Sequence, residues 1–290
     1  MATLENKIDF VMFITVDHAN PNGDPLNGNR PRLTDDGFGE ISDVCIKRKI
    51  RNRWMEMGES VFVQSDENKM DGYASLRERA DSNEKLSAIA KDKKLANRDD
   101  LYAQMACESW LDVRAFGQVF AFKNEKKGEG VSIGIRGPIS IQSAFSVGPV
   151  EIESLQITKS VNNEPGEKKG SDTMGAKHRI AFGLYLLKGS INVQLAEKTG
   201  FSVEDAEKLK KALISLFTND SSSARPEGSI NGIRLYWFRH NSKLGQYSPA
   251  KVHGTVIAKV KDGVLRPRSL EDYSISYLPL PGLEAEIIEG

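Results

Sequence analysis

The 290-residue chain has two cysteines, four histidines and no net charge, and each shortage closes off a class of chemistry. Cys45 and Cys107 share no C-x-x-C spacing, so neither a disulfide framework nor a zinc site is indicated, and both read as small buried hydrophobes in helices. His18, His178, His240 and His253 are scattered, without H-x-x-x-H or H-x-E spacing. The glycine-rich stretches lack the G-x-x-x-x-G-K-S/T phosphate loop. No cofactor and no metal are expected. No apolar run approaches the roughly 18 residues of a membrane span, and the opening MATLENKID lacks the charged-then-apolar order of a signal peptide. The expectation is a cytoplasmic protein with no membrane partner.

Forty basic and forty acidic residues cancel, but a polyanion feels the local field and not the sum. From Glu56 to Asp112 there are thirteen acids and eight bases. From Arg225 to Arg268 nine bases stand against Glu227 and Asp262 alone, and Ser269 to Gly290 holds five acids and no base. Opposite faces of this kind suit a polyanion on one side and a neighbouring copy on the other.

Along the chain, Ile8, Phe10, Met12, Ile14 and Val16 alternate on one face while Val11 and Phe13 keep the other apolar, which predicts an inner strand covered on both sides. A helix follows from Ser42 as cap, with Ile46, Ile50, Trp54 and Met57 on its buried face. Residues 56–112 have a polar, mainly helical pattern and read as an inserted subdomain. Strands are predicted at Val131–Ile135, Ile139–Val147 and Val150–Thr158. The polar excursion Lys159–His178 reads as a protruding hairpin, and strands resume at Ile180. Ser202 and Asp205 form a capping-box pair that opens a second helix, and strands follow at Ile233–Arg239 and Val252–Val260. Without the insertions the order is βαββαβ, the α+β pattern of ferredoxin-like folds, which include RNA-recognition modules.

Two neighbouring segments carry the chemistry. Asn20 to Arg32, NPNGDPLNGNRPR, holds four Asn, three Pro, two Gly and two Arg. Pro and Gly stiffen such a loop, and its Asn side chains, bare amides, Arg30 and Arg32 can face phosphate oxygens or base edges. A rigid turn whose Asn side chains bond only its own backbone is the plain alternative. On the following helix Lys47, Arg48 and Arg51 crowd like charges beside one another, an arrangement that a phosphate backbone would relieve.

NPNGDPLNGNRPR, the basic helix SDVCIKRKIRNRW, DVRAFG at Asp112–Gly117, GPISIQSAFSVGPVEI at Gly137–Ile152 and SDTMGAKHRIAFGLY at Ser171–Tyr185 together resemble the Cas7 family of CRISPR-associated proteins, with the type I-C branch the nearest in pattern. The resemblance implies an RNA-recognition-like palm, residues 1–55 and 113–290, a helical finger insertion at 56–112 and a β-hairpin thumb at 159–178. It implies a non-catalytic subunit that polymerises head to tail along a CRISPR RNA (crRNA) and presents it to target DNA in antiviral defence. Partners would be the crRNA, target DNA through the guide, copies of itself, other Cascade subunits and a recruited helicase-nuclease. Asn20, Asn22, Asn27, Arg30, Lys47, Arg48, Arg51, Lys177 and His178 would contact RNA, with Phe145 close by. Met174 would be an apolar wedge beside a displaced base, sequence-tolerant because a thioether presses on a ring without reading its edge.

Type III relatives cut RNA with a thumb-adjacent aspartate, and that role is not carried over to Asp24 or Asp172. A metal- or His-dependent endoribonuclease acting on CRISPR or other RNA, with Asp17, His18 and Asp24 at its site, is the alternative reading.

Overall fold

The computed structural model of the protein describes residues 2–92, 94–122, 131–158 and 174–290. The chain opens with β1 (Ile8–Ala19), crosses the small ribbon β2 (Gly23–Asp24) and β3 (Arg30–Pro31), and reaches β4 (Phe38–Ile41) and α1 (Asp43–Glu56). Four helices follow, α2 (Leu76–Ser82), α3 (Glu84–Lys91), α4 (Arg98–Ser109) and α5 (Leu111–Phe116). Next come the strands β5 (Gly117–Phe122), β6 (Val131–Arg136), β7 (Ile139–Ile141), β8 (Ala144–Pro149), β9 (Ile152–Thr158) and the long β10 (Met174–Ile191). The chain ends with α6 (Val193–Thr199), α7 (Val203–Ile214), β11 (Ile230–Arg239), α8 (Pro249–His253), β12 (Val256–Val260), β13 (Tyr273–Tyr277) and β14 (Ala285–Glu289).

The main sheet runs in the order β14, β11, β1, β10, β8, β4, with β7 and β9 also paired to β10 and every pairing antiparallel. β1 lies in the middle because both its faces are apolar. Ile8, Phe10, Met12, Ile14 and Val16 pack into the core beneath α1 and α7, and Val11 and Phe13 into a second core beneath α8, β12 and β13. Each such side chain contributes about 1.5–3 kcal/mol through burial. Phe10 stacks on Trp237 at 5.6 Å and lies across its cross-strand partner Gly189, where a Cβ would fall inside the phenyl ring. At the end of β1, His18 takes a left-handed conformation (φ 47°). Val16 and Ala19, which strict alternation would put on opposite faces, therefore both enter the α1 core, and the chain swings out of the sheet.

α1 docks through Ile46, Ile50 and Trp54, and α7 through Ala206, Leu209 and Leu213. Ser202 and Asp205 make the reciprocal capping box read from the sequence. Asp205 also receives Arg114 through two bonds of 2.9 and 2.8 Å, so the DVRAFG segment ties α5 to the start of α7. The helices α2–α4 surround a separate apolar cluster that includes Phe62, Leu86, Tyr102 and Trp110. That cluster continues past residue 112 into Val113, Phe120 and Ile133, so the β5–β6 hairpin packs with the helical insertion.

Several expectations change. The strand expected over 139–147 is two, β7 and β8, which pair with different parts of β10. Val252 belongs to the short helix α8, capped by Ser248 and opened by Pro249, and its strand begins only at Val256. β10 starts at Met174 rather than Ile180, because a ladder with β9 from Met174↔Thr158 to Ile180↔Ile152 extends it beyond the body of the sheet. The remainder of the expected hairpin, residues 159–173 with Asp172, lies outside the described residues.

A buried polar knot joins the three central strands. Asp9 of β1, fully buried, accepts from Lys7 Nζ (2.6 Å), His240 Nε2 (2.8 Å) and Ser190 Oγ (2.5 Å), while His240 Nδ1 accepts from the Gln246 amide (2.9 Å). Burial alone would push the Asp9 carboxyl up, and the bonds from His240, Lys7 and Ser190 outweigh it and hold it below the ordinary carboxylate range. Its stabilisation is therefore fully present above the unfolded value near 3.9 and is lost as pH falls through the lower folded value. Asp9→Ala strands three donors, Lys7, His240 and Ser190, in the core and is expected to cost about 3–5 kcal/mol, read as a shift of the urea midpoint at pH 7. A change below about 1 kcal/mol would show that the knot is not a support of the sheet.

Candidate nucleic-acid interface

The loop after β1 is held by its own side chains. Asn20 is buried, and its Nδ2 donates to the Asn29 carbonyl at 2.7 Å. Asn22 Oδ1 accepts from both the amide and the hydroxyl of Ser42, at 2.9 and 2.8 Å, and Ser42 in turn caps α1 through the Cys45 amide. Asp24 caps the turn Pro25–Asn27 through the Leu26 amide at 3.2 Å and faces Arg32 at 3.6 Å. Gly28 and Asn29 supply two successive left-handed residues, with φ of 57° and 58°. For Asn20 the plain alternative describes the contact, which is to the loop's own backbone, whereas Asn22 bonds Ser42 outside the loop. Asn27 remains at the exposed tip.

The charges of α1 are also partnered. Lys47 pairs with Asp43 one turn earlier at 2.9 Å. Arg51 turns inward, donating to Asp112 at 2.9 Å and lying 5.1 Å above the Phe116 ring. Lys49 is buried against Asp220, which Arg225 also contacts at 3.2 Å, and Arg53 pairs with Glu56. Desolvation pulls the Lys49 ammonium down, and Asp220 opposes that shift. The crowding on this helix is thus relieved within the molecule, by Asp43 and Glu56 on the helix itself and by Asp112 and Asp220 from distant parts of the chain. Arg48 is exposed and makes no ion pair among the described residues, standing at the rim of a polar cleft that Lys49, Asp220 and Arg225 line. The basic segment 225–268 is neutralised in the same way, by Arg234–Glu289, Arg239–Glu207 and Arg268–Glu151 at 2.7, 3.1 and 2.7 Å.

Loop and hairpin meet at Arg30. Its Nη1 lies 3.3 Å from Ser154 Oγ on β9 and 3.4 Å from His178 Nδ1 on β10. Ser154 and His178 are themselves cross-strand partners, 2.9 Å apart through Oγ and Nδ1. The alternation of the ladder then sorts the remaining candidates. Gln156, Ala176, Met174 and Thr158 share the face of His178, whereas Lys177, opposite Leu155, points to the other. Met174 is 67% exposed and its sulfur accepts from Gln156 Nε2 at 3.3 Å. Phe145 is 44% exposed on β8, between β4 and β10. Ser154 and Gln156 did not figure among the sequence candidates. The polar alternation Ser154, Gln156, Thr158 is the signal that could have found them.

Asp17 and His18 contact each other at the surface, and Asp24 is engaged by the turn it caps and by Arg32. The three do not converge through any contact among the described residues. Among the described residues, no helix is long and apolar enough to cross a membrane.

A family model described as CRISPR-associated protein Cas7 matches residues 6–277. A protein described as CRISPR-associated protein Cas7 from Haloferax volcanii is 26% identical over 236 residues, which covers 77% of this chain and 67% of that protein. Among solved structures, a chain of a CRISPR RNA-guided surveillance complex superposes with a TM-score of 0.50 at 17% identity, covering 89% of this chain and 78% of the other, and so shares its fold. A chain of a second such complex, described as pre-nicking, gives a TM-score of 0.47 at 14% identity over 89% and 83% of the two chains.

The contacts separate supports from free groups. Asn22→Ala removes the acceptor of two bonds at the start of α1 and is expected to cost about 1–2 kcal/mol. Arg48→Ala should stay within about 0.5 kcal/mol of the parent. Urea midpoints test the pair, and equal midpoints would remove Asn22 from its supporting role.

Proposed function

The chain belongs to the Cas7 family of CRISPR-associated proteins, and we propose that it is the non-catalytic crRNA-binding backbone subunit of a type I-C Cascade complex, polymerising along the guide and presenting it for pairing with target DNA. The observation that carries this reading is the meeting of loop 20–32 with the root of the β9–β10 hairpin at Arg30, Ser154 and His178. A stiff loop and a projecting hairpin there form one polar face with an exposed thioether farther out.

The strand order β11, β1, β10, β8, with α1 after β1 and α7 after β10, supports a ferredoxin-like, RNA-recognition-like palm. Helices α2–α4 with their own apolar cluster support a finger, and the β9–β10 ladder supports a thumb. In this reading Arg30, His178, Asn27 and Arg48 take phosphate and sugar, and Met174, steadied by Gln156, presses beside a displaced base. Phe145 and Lys47 lie nearby, and Lys177 serves the opposite face of the thumb. Asn20, Asn22 and Arg51 hold the surface in shape from within. Contacts of this kind position a strand and leave base edges free to pair, as a subunit that accepts any guide sequence requires. Further copies of the chain, other Cascade subunits and a recruited helicase-nuclease complete the proposed partners.

Native gel mobility and native mass on single-stranded RNAs of increasing length and unrelated sequence, with and without EDTA, test the proposal. Protomers should add one per fixed RNA increment, with the RNA intact. Arg30→Ala combined with Arg48→Ala should weaken binding at least several-fold and flatten its salt dependence, since each lost phosphate contact removes about 0.7 from the slope on single strands. One bound copy with cleaved RNA would overturn the proposal.

A further inference from the structure

The trio Arg30, Ser154 and His178 gathers two basic side chains around one hydroxyl. A guanidinium carries donors only and keeps its charge. Arg30 Nη1 stands 3.4 Å from His178 Nδ1, which brings two basic side chains together. The Ser154 hydroxyl closes the set, accepting from Arg30 at 3.3 Å and bonding to Nδ1 at 2.9 Å. A proton on the ring would place a second positive charge against the guanidinium, with only the neutral Ser154 hydroxyl between them. An anionic oxygen at the same place reverses the preference, because it accepts from guanidinium and imidazolium together, and both bonds are then charge-assisted.

We infer that Arg30, Ser154 and His178 form a phosphodiester site in which His178 takes up one proton as the strand binds. The inference rests on the nucleic-acid reading above and adds its regulation by pH. The surrounding charges leave that proton to come from solvent. On β2 and β3, Asp24 is cross-strand to Arg30 but is engaged by the Leu26 amide and Arg32. On β9 and β10, Glu153 and Arg179 pair at 2.8 Å on the opposite face, together with Lys177. At the end of β1, Asp17 and His18 pair with each other. Among the described residues no carboxylate bonds to Arg30 or His178, so the site holds two basic groups and no internal counter-ion. A phosphodiester oxygen supplies the missing charge.

Isothermal titration of the intact protein with an unstructured polyuridine oligonucleotide, at pH 7 in two buffers of different ionisation enthalpy, counts the protons taken up per bound protomer. Uptake approaching one proton is expected, together with affinity that tightens as pH falls from 8 to 6, by at most about tenfold per unit, the limit for one linked proton. His178→Gln should bind RNA without uptake and without the pH slope, and His18→Gln should behave as the parent. Binding with no uptake in the parent, or uptake that persists in His178→Gln, overturns this inference alone. If parent and variant both fail to bind RNA, the nucleic-acid reading falls and takes this one with it.

Discussion

The burial of β1 on both faces is the constraint from which the rest of the architecture follows. A strand with Ile8, Phe10, Met12, Ile14 and Val16 on one side and Val11 and Phe13 on the other is stable only between two neighbours and two covering layers. That places β10 and β11 beside it, α1 and α7 below, and α8 with the β12–β13 ribbon above. The buried Asp9 then bonds to a residue from each of the neighbouring strands or their ends, Ser190 and His240, which pins their register at one end. At the other end the left-handed His18 releases the chain into the Asn/Pro/Gly loop. The loop that brings Arg30 to the polar face therefore leaves from a strand buried on both faces, where it can hold one shape without a large packing area of its own.

Neutrality is reached by internal pairing, and this changes what a basic residue means. The helix rich in lysine and arginine owes most of its charge to contacts inside the molecule, with Asp43, Asp112, Asp220 and Glu56 as partners. Arg51 illustrates the reversal. Its spacing puts it on a basic stripe, yet it donates to a buried carboxylate that also accepts from the Phe62 and Val63 amides and so fastens the helical insertion to α1. A cation committed in that way is costly to withdraw, because Asp112 would be left buried and unpaired. Groups with few internal partners, such as Arg48, or with weak ones, such as Arg30, are those that can turn toward a ligand at little cost.

Alternation in the β9–β10 ladder supplies a second sorting rule. Neighbouring residues of a strand cannot serve one face, so His178 and Lys177 divide between two, and His178 falls in with Ser154, Gln156 and Met174. Arg30 reaches that face from the loop and makes the two projecting parts a single unit.

Local rules carried much of the architecture. The period of two in β1, the Ser42 cap and four-residue spacing of α1, and the Ser202–Asp205 box of α7 are each written within one or two turns of chain, and all three elements form as the pattern predicts. The same locality hid the division of residues 139–147 and the helix at Val252, where pairing partners and a proline decided. The ordered series of motifs sufficed to point to the family. What only the tertiary structure decided is which polar residues are spent. Arg51 meets Asp112 across 61 residues of sequence, Arg30 meets His178 across 148 and Lys49 meets Asp220 across 171. Propensity and periodicity act over a few residues, whereas an ion pair or a shared hydrogen bond depends on where the fold brings distant segments. The elements could therefore be read from the chain, and the composition of the polar face emerged only from their packing.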